Sequence, residues 1–135
     1  MGTLADAVLE AGGTAVGVVP VGLFSSEVPH GNLTELVEVP DIQARKRAMY
    51  ERSDAFCGLP GGFGTLEEVF EAATWTQLGL HGSHKPVVLL DRNGFWSGID
   101  EFLDRLVSDG FVKPESRGIV SRTTSVVEVL AVLDR

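Results

Sequence analysis

The chain alternates between two hydrophobic periods. Leu4, Ala5, Val8 and Leu9 recur at helical spacing, and Gly12-Gly13 follows as a stop. Residues 14–19, TAVGVV, form a short β-branched run closed by Pro20. Two prolines, two glycines and two adjacent serines make 20–34 a loop. Weak alternation over 35–39 predicts a strand, and Asp41 is placed to N-cap a helix running to Arg52. Residues 55–59 are a short apolar run ending at Pro60. The strongest helical signal is 65–78, where Leu66, Val69, Phe70 and Ala73 make one stripe and Gly79 is the stop. PVVLL at 86–90 predicts a buried strand. Phe102, Leu103, Leu106 and Val107 mark a helix ended by Gly110. A last strand starts at 119–120, and a closing helix covers 125–133.

Strands apolar on both faces and separated by helices imply βαβ units. The expected class is therefore α/β, an open, doubly wound parallel sheet covered by helices. In such sheets ligands sit outside the carboxyl ends of the strands, so chemistry is sought in the strand-to-helix loops. A length of 135 residues predicts a single domain, 1–135. Nineteen acidic against eleven basic residues give a net charge of −8. That sign opposes nucleic-acid binding and binding to anionic membranes. No apolar run approaches the roughly 20 residues of a membrane helix, and the first residues lack the pattern of a signal peptide. The only cysteine is Cys57, which excludes an intrachain disulfide and fits a reducing, cytoplasmic setting.

One loop carries chemistry. Leu59-Pro60-Gly61-Gly62-Phe63-Gly64-Thr65-Leu66-Glu67-Glu68 follows a strand and opens the best helix. Its three glycines allow close approach of the backbone and positive φ angles. The helix start offers unpaired N–H groups and the positive end of a dipole, a ready phosphate cradle. Thr65 is expected at the N-cap. Plain turn chemistry also explains such a loop, and Thr65-x-x-Glu68 fits a capping box in which Glu68 is structural.

Arg45-Lys46-Arg47 is conspicuous in an acidic chain. A solvated face, with Asp41 and Arg45 paired one turn apart, explains it. The alternative directs Arg45 toward an anionic ligand at the glycine loop. His81 and His84 lack a third ligand, so no metal is expected, and His30 is read as a surface residue. Cys57, mid-strand, is expected to be a small buried hydrophobe.

The stretch Arg45-Lys46-xx-Met49, Ser53-Asp54-Ala55-Phe56 and Leu59 through Glu68 closely resembles the Lonely guy family. Its hallmark is PGGxGTxxE preceded by an Arg-Lys pair. The similarity continues through Thr74-Trp75-xx-Leu78-Gly79, Lys85-Pro86-Val87 and Gly110-Phe111, and so covers nearly the whole chain. The resemblance implies a Rossmann-like fold, a homodimer and a hydrolase without metal or organic cofactor. Such enzymes cleave the N-glycosidic bond of N6-substituted adenosine 5′-monophosphates to a free base, the cytokinin, and ribose 5-phosphate. The family's catalytic Arg and Glu fall on Arg45 and Glu68. Its substrate contacts fall on Glu27, Lys46, Gly61, Gly62, Phe63, Gly64, Thr65, Leu66, Glu67 and Thr74.

The resemblance also implies roughly 50 further residues upstream, the length of a strand, a helix and a second strand. The chain is therefore expected to be N-terminally truncated, with Met1-Gly2 matching the end of a glycine-rich loop. The family is often labelled lysine decarboxylase. A pyridoxal phosphate enzyme needs a Schiff-base lysine in a shaped site, and Lys46, Lys85 and Lys113 have no such context. The alternative of another class is a non-catalytic nucleotide-binding carrier resembling molybdenum-cofactor carriers.

Overall fold

The structure is a computed structural model that describes residues 1–22, 31–80 and 84–133. The chain divides into two compact units, Met1–Arg52 and Ser53–Arg135. Both are built from parallel strands alternating with helices, which is the α/β class of Rossmann-like folds.

In the first unit α1 (Gly2–Glu10) precedes β1 (Val16–Pro20), β2 (Glu35–Val39) and α2 (Ile42–Arg52). β1 and β2 are parallel, with Val16 opposite Glu35 and Pro20 opposite Val39. Pro20 is thus the last residue of the strand and not the residue beyond it, because a terminal position forfeits only one ladder donor. Asp41 caps α2 as expected: its Oδ1 accepts the Ala44 amide at 2.8 Å. α2 packs on both strands. Its end is tied back to β2 by Arg52, whose two terminal nitrogens donate to the Glu35 carboxylate at 3.0 and 3.1 Å. α1 buries none of its residues, although its apolar stripe is regular.

In the second unit β3 (Phe56–Gly58), β4 (Val87–Leu90) and β5 (Val120–Thr123) form a parallel sheet in that order. α3 (Phe63–Gln77), α4 (Ser97–Ser108), a 3-10 helix (Pro114–Ile119) and α5 (Val126–Leu133) surround it. Val87, Val88 and Leu89 of the central strand are fully buried. Each contributes on the order of 1.5–3 kcal/mol of burial. Gly58 permits the close seat of α3. A Cβ there would stand 2.9 Å from Leu89 Cδ2 and 3.1 Å from Val69 Cγ2.

Four side-chain expectations are corrected here. Of the predicted α3 stripe Val69 is buried while Leu66, Phe70 and Ala73 are only half-buried, and Ala72 and Thr76 supply the other buried positions, so the core face is turned partly away from the predicted one. Phe102 points outward from α4 while Leu103 is buried. Cys57 is exposed, because strand alternation puts it on the face of β3 opposite the buried Gly58. Thr65 is not an N-cap, as the site geometry makes clear.

Candidate active site

The glycine loop leads from β3 into α3, at the carboxyl end of a parallel strand. The N-cap of α3 is Gly62, with φ −93° and ψ −151°, and no side chain caps the helix. α3 therefore starts two residues before the predicted point, and Thr65 is its third residue. A helix that starts at Phe63 excludes Thr65 and Glu68 as cap and partner of a capping box. Two flanking glycines made the earlier start illegible, since glycine is a poor helix former.

None of Gly61, Gly62 and Gly64 takes a positive φ. Their use is space. A Cβ on Gly61 would collide with the Thr65 hydroxyl, whereas Gly62 and Gly64 face open surroundings with nothing within 4 Å. The amides at the start of α3 are thus bare, and the dipole end is open to an incoming anion. Glu68 lies one turn further in, on the Gly64 side of the helix, and side chains lean toward the N-terminus of their helix. Glu68 as a whole is half-buried. One unit thus holds the uncapped start of α3 and a carboxylate one turn, about 6 Å, apart along the helix.

The other predicted residues are placed as follows. Arg45 and Lys46 stand on α2, in the first unit; Arg45 is half-buried, Lys46 is 7% exposed and Arg47 faces solvent. The basic triplet is therefore not one solvated face. Leu66 is half-buried and Glu67 exposed. Thr74 is exposed and lies about 120° round the helix from Glu68. Its hydroxyl donates to the Phe70 carbonyl at 2.7 Å, and it borders a cavity of about 140 Å³ lined by Phe70, Leu103, Leu106 and Ile119. Glu27 lies outside the described residues, as do His30 and His81. Among the described residues no three His, Cys, Asp or Glu side chains gather as a metal site, and no helix is long and apolar enough to cross a membrane.

The carboxyl ends of β4 and β5 hold a polar assembly that the sequence reading missed. Asp91 is fully buried and accepts the amides of Asn93, Phe95 and Trp96 at 3.1, 2.9 and 3.0 Å. Arg122 bridges Asp91 at 3.2 Å and Asp100 at 3.1 Å. Arg117 pairs with Asp100 and Asp104, both at 2.6 Å. Burial alone would raise the pKa of Asp91. The Trp96 amide, the Arg122 guanidinium and the Asn93 and Phe95 amides outweigh it and hold the group below the usual aspartate range. Asp100 is lowered in the same way: burial opposes, and Arg117 and Arg122 prevail. The available signal was a lone acid directly after the PVVLL run.

A capping box does exist, at α5. Glu128 Oε2 accepts the Ser125 amide at 3.2 Å, and Ser125 Oγ accepts the Glu128 amide at 3.3 Å. The Thr124 amide adds a bond at 2.9 Å and is the main reason the Glu128 pKa is lowered.

A family model described as possible lysine decarboxylase matches residues 1–133. A probable cytokinin riboside 5′-monophosphate phosphoribohydrolase of Oryza sativa subsp. japonica is 40% identical over 134 residues, 99% of this chain and 63% of that protein. A cytokinin riboside 5′-monophosphate phosphoribohydrolase of Arabidopsis thaliana is 40% identical over 134 residues, 99% of this chain and 58% of that protein. The enzyme of that name from Rhodococcoides fascians is 46% identical over 121 residues, 89% of this chain and 60% of that protein. The chain spans 51% to 66% of the length of such curated relatives. The glycine loop, the Arg-Lys pair and the match over 1–133 lead to one conclusion: the chain belongs to the Lonely guy family, whose members are also described as possible lysine decarboxylases.

Proposed function

We propose that this chain hydrolyses the N-glycosidic bond of adenosine 5′-monophosphates, including N6-substituted ones, releasing the free base and ribose 5-phosphate. The observation that carries the reading is the uncapped start of α3, bare at Gly62 and Gly64, with Glu68 one turn away. The names of the relatives support the choice of substrate. The amides hold the 5′-phosphate, and that binding energy positions the bond to be broken. Departure of the base builds oxocarbenium-like positive charge on the ribose. The Glu68 carboxylate stabilises that charge or orients the attacking water. Arg45 assists the departing base or fixes the carboxylate. Lys46, Glu27 and Thr74 complete the substrate contacts in this reading, and the working form is a cytoplasmic homodimer.

A pyridoxal phosphate decarboxylase does not fit the residues present. Lys85 precedes β4 at its amino end, away from the edge where parallel sheets bind ligands, and Lys113 is exposed beyond α4. Nothing specific to the described residues favours the carrier alternative.

The reading is tested by comparing AMP with adenosine. A phosphate-anchored site turns over AMP with a kcat/KM at least about a hundredfold higher, and removing the phosphate lowers kcat as well as raising KM. Equal turnover of the two overturns the phosphate cradle. No turnover of either overturns the hydrolase.

A further inference from the structure

The carboxyl end of β5 opens onto a larger cavity, of about 420 Å³, lined by Arg122, Thr123, Thr124, Glu128, Ala131 and Val132. It lies at the edge of a parallel sheet where ligands bind, and β4 stands between β5 and the strand that leads into the glycine loop. Three of its polar groups have bonding capacity left over. Glu128 takes its bonds from Thr124 and Ser125 on Oε2, and Oε1 accepts none from the described residues. Arg122 directs Nε to Asp100 and Nη1 to Asp91, and Nη2 donates to none of the described residues. Thr123 is 8% exposed, and its hydroxyl has no hydrogen-bond partner. A buried hydroxyl costs stability unless it is bonded, and a ligand atom in the cavity supplies the missing partner.

We infer that this cavity binds a free α-amino acid with an aliphatic side chain, held by Glu128, Arg122 and Thr123 against Ala131 and Val132. The ligand's ammonium donates to Glu128 Oε1. Its carboxylate accepts from Arg122 Nη2 and from the Thr123 hydroxyl. Charge selects the class. An anion without a cationic group meets the Glu128 carboxylate, and a cation without an anionic group meets the Arg122 guanidinium. A zwitterion matches both with charge-assisted hydrogen bonds. Ala131 and Val132 add an aliphatic wall without polar side-chain atoms, and the volume holds a molecule of this size. None of the lining residues belongs to the glycine loop or to α2, so the site is separate from the one proposed for the nucleotide.

The test is a calorimetric titration of the whole chain with L-leucine. Saturable binding is expected. Glycine, isocaproate and isoamylamine, which lack the side chain, the ammonium and the carboxylate in turn, each bind at least about tenfold more weakly. Thr123→Val keeps the shape of the side chain and removes an unpaired hydroxyl. Its melting temperature is expected to equal or exceed the parent's, while its affinity for L-leucine falls about tenfold. L-leucine leaves the KM for AMP unchanged. The inference is overturned by an absence of saturable L-leucine binding, by equally tight binding of any of the three analogues, or by a folded Thr123→Val variant that binds as the parent does. Competition between L-leucine and AMP overturns it too, since the two would then share a site. A chain that binds L-leucine in this pattern but leaves AMP intact supports the inference and overturns only the hydrolase reading.

Discussion

A methyl group added at Gly62 or Gly64 meets nothing, while one added at Gly61 meets Thr65. The three glycines of one motif therefore have different physical reasons, and substitution separates them. Gly64→Ala is expected to fold as well as the parent or better by up to about 1 kcal/mol, because alanine is the better helix former. The added methyl nevertheless stands where a phosphate would approach, so KM for AMP rises. Gly61→Ala loses stability outright. Urea melts and steady-state kinetics check both. Glu68→Gln keeps the shape of the side chain and removes its charge; turnover should fall at least about a hundredfold with stability retained. Arg45→Ala should lose turnover comparably. At this scale residue type and spacing disclosed the loop, while the pairing of Arg45 with Glu68 came from the resemblance to the family. It did not disclose which glycine does what. That depends on how close Thr65 comes to Gly61, which is set by where α3 starts, the boundary the glycines obscured. The exposure of Cys57 was hidden because a three-residue strand does not reveal which of its faces is packed.

Helices and strands were legible where apolar periodicity was strong. β2 spans the predicted 35–39, α2 begins after its Asp41 cap, and Gly79 and Gly110 stop α3 and α4 with φ of 64° and 80°. α3 was misread at its start, because Thr65-x-x-Glu68 and Ser125-x-x-Glu128 carry the same capping pattern and only the second is used as one. Ser125→Ala is accordingly expected to cost about 1 kcal/mol in urea unfolding, whereas a Thr65→Ala change removes no cap. The ion-pair assembly from Asp91 to Asp104 was illegible because it joins the end of β4, α4, the 3-10 helix and β5, which are distant along the chain. Asp91, Asp100 and Glu128 all have lowered pKa values in the folded state. Their contribution is therefore complete above the ordinary carboxylate range, about pH 4, and is lost as pH falls through the folded values. The urea midpoint should hold as acid is added to that point and drop below it. In Asp91→Asn the midpoint is lower at neutral pH, and the further drop in acid is smaller. An acid response identical to the parent's contradicts this role for Asp91.

For the whole molecule, the α/β class followed from the alternation of apolar strands with amphipathic helices, and the family from the joint pattern of Arg45-Lys46 and the glycine loop. The proposed chemistry gives Arg45 and Glu68 roles in one reaction. Periodicity could not express that relation, because it concerns neither face nor spacing. If 1–135 is one domain as the length predicts, heating followed by circular dichroism gives a single transition; two resolved transitions contradict it. The central claim is tested most directly by incubating the chain with N6-isopentenyladenosine 5′-monophosphate and resolving the products by chromatography. The account predicts N6-isopentenyladenine and ribose 5-phosphate in equal amounts from the parent and neither from Glu68→Gln. Intact nucleotide after incubation with the parent, or base released by Glu68→Gln at the parent's rate, would contradict it.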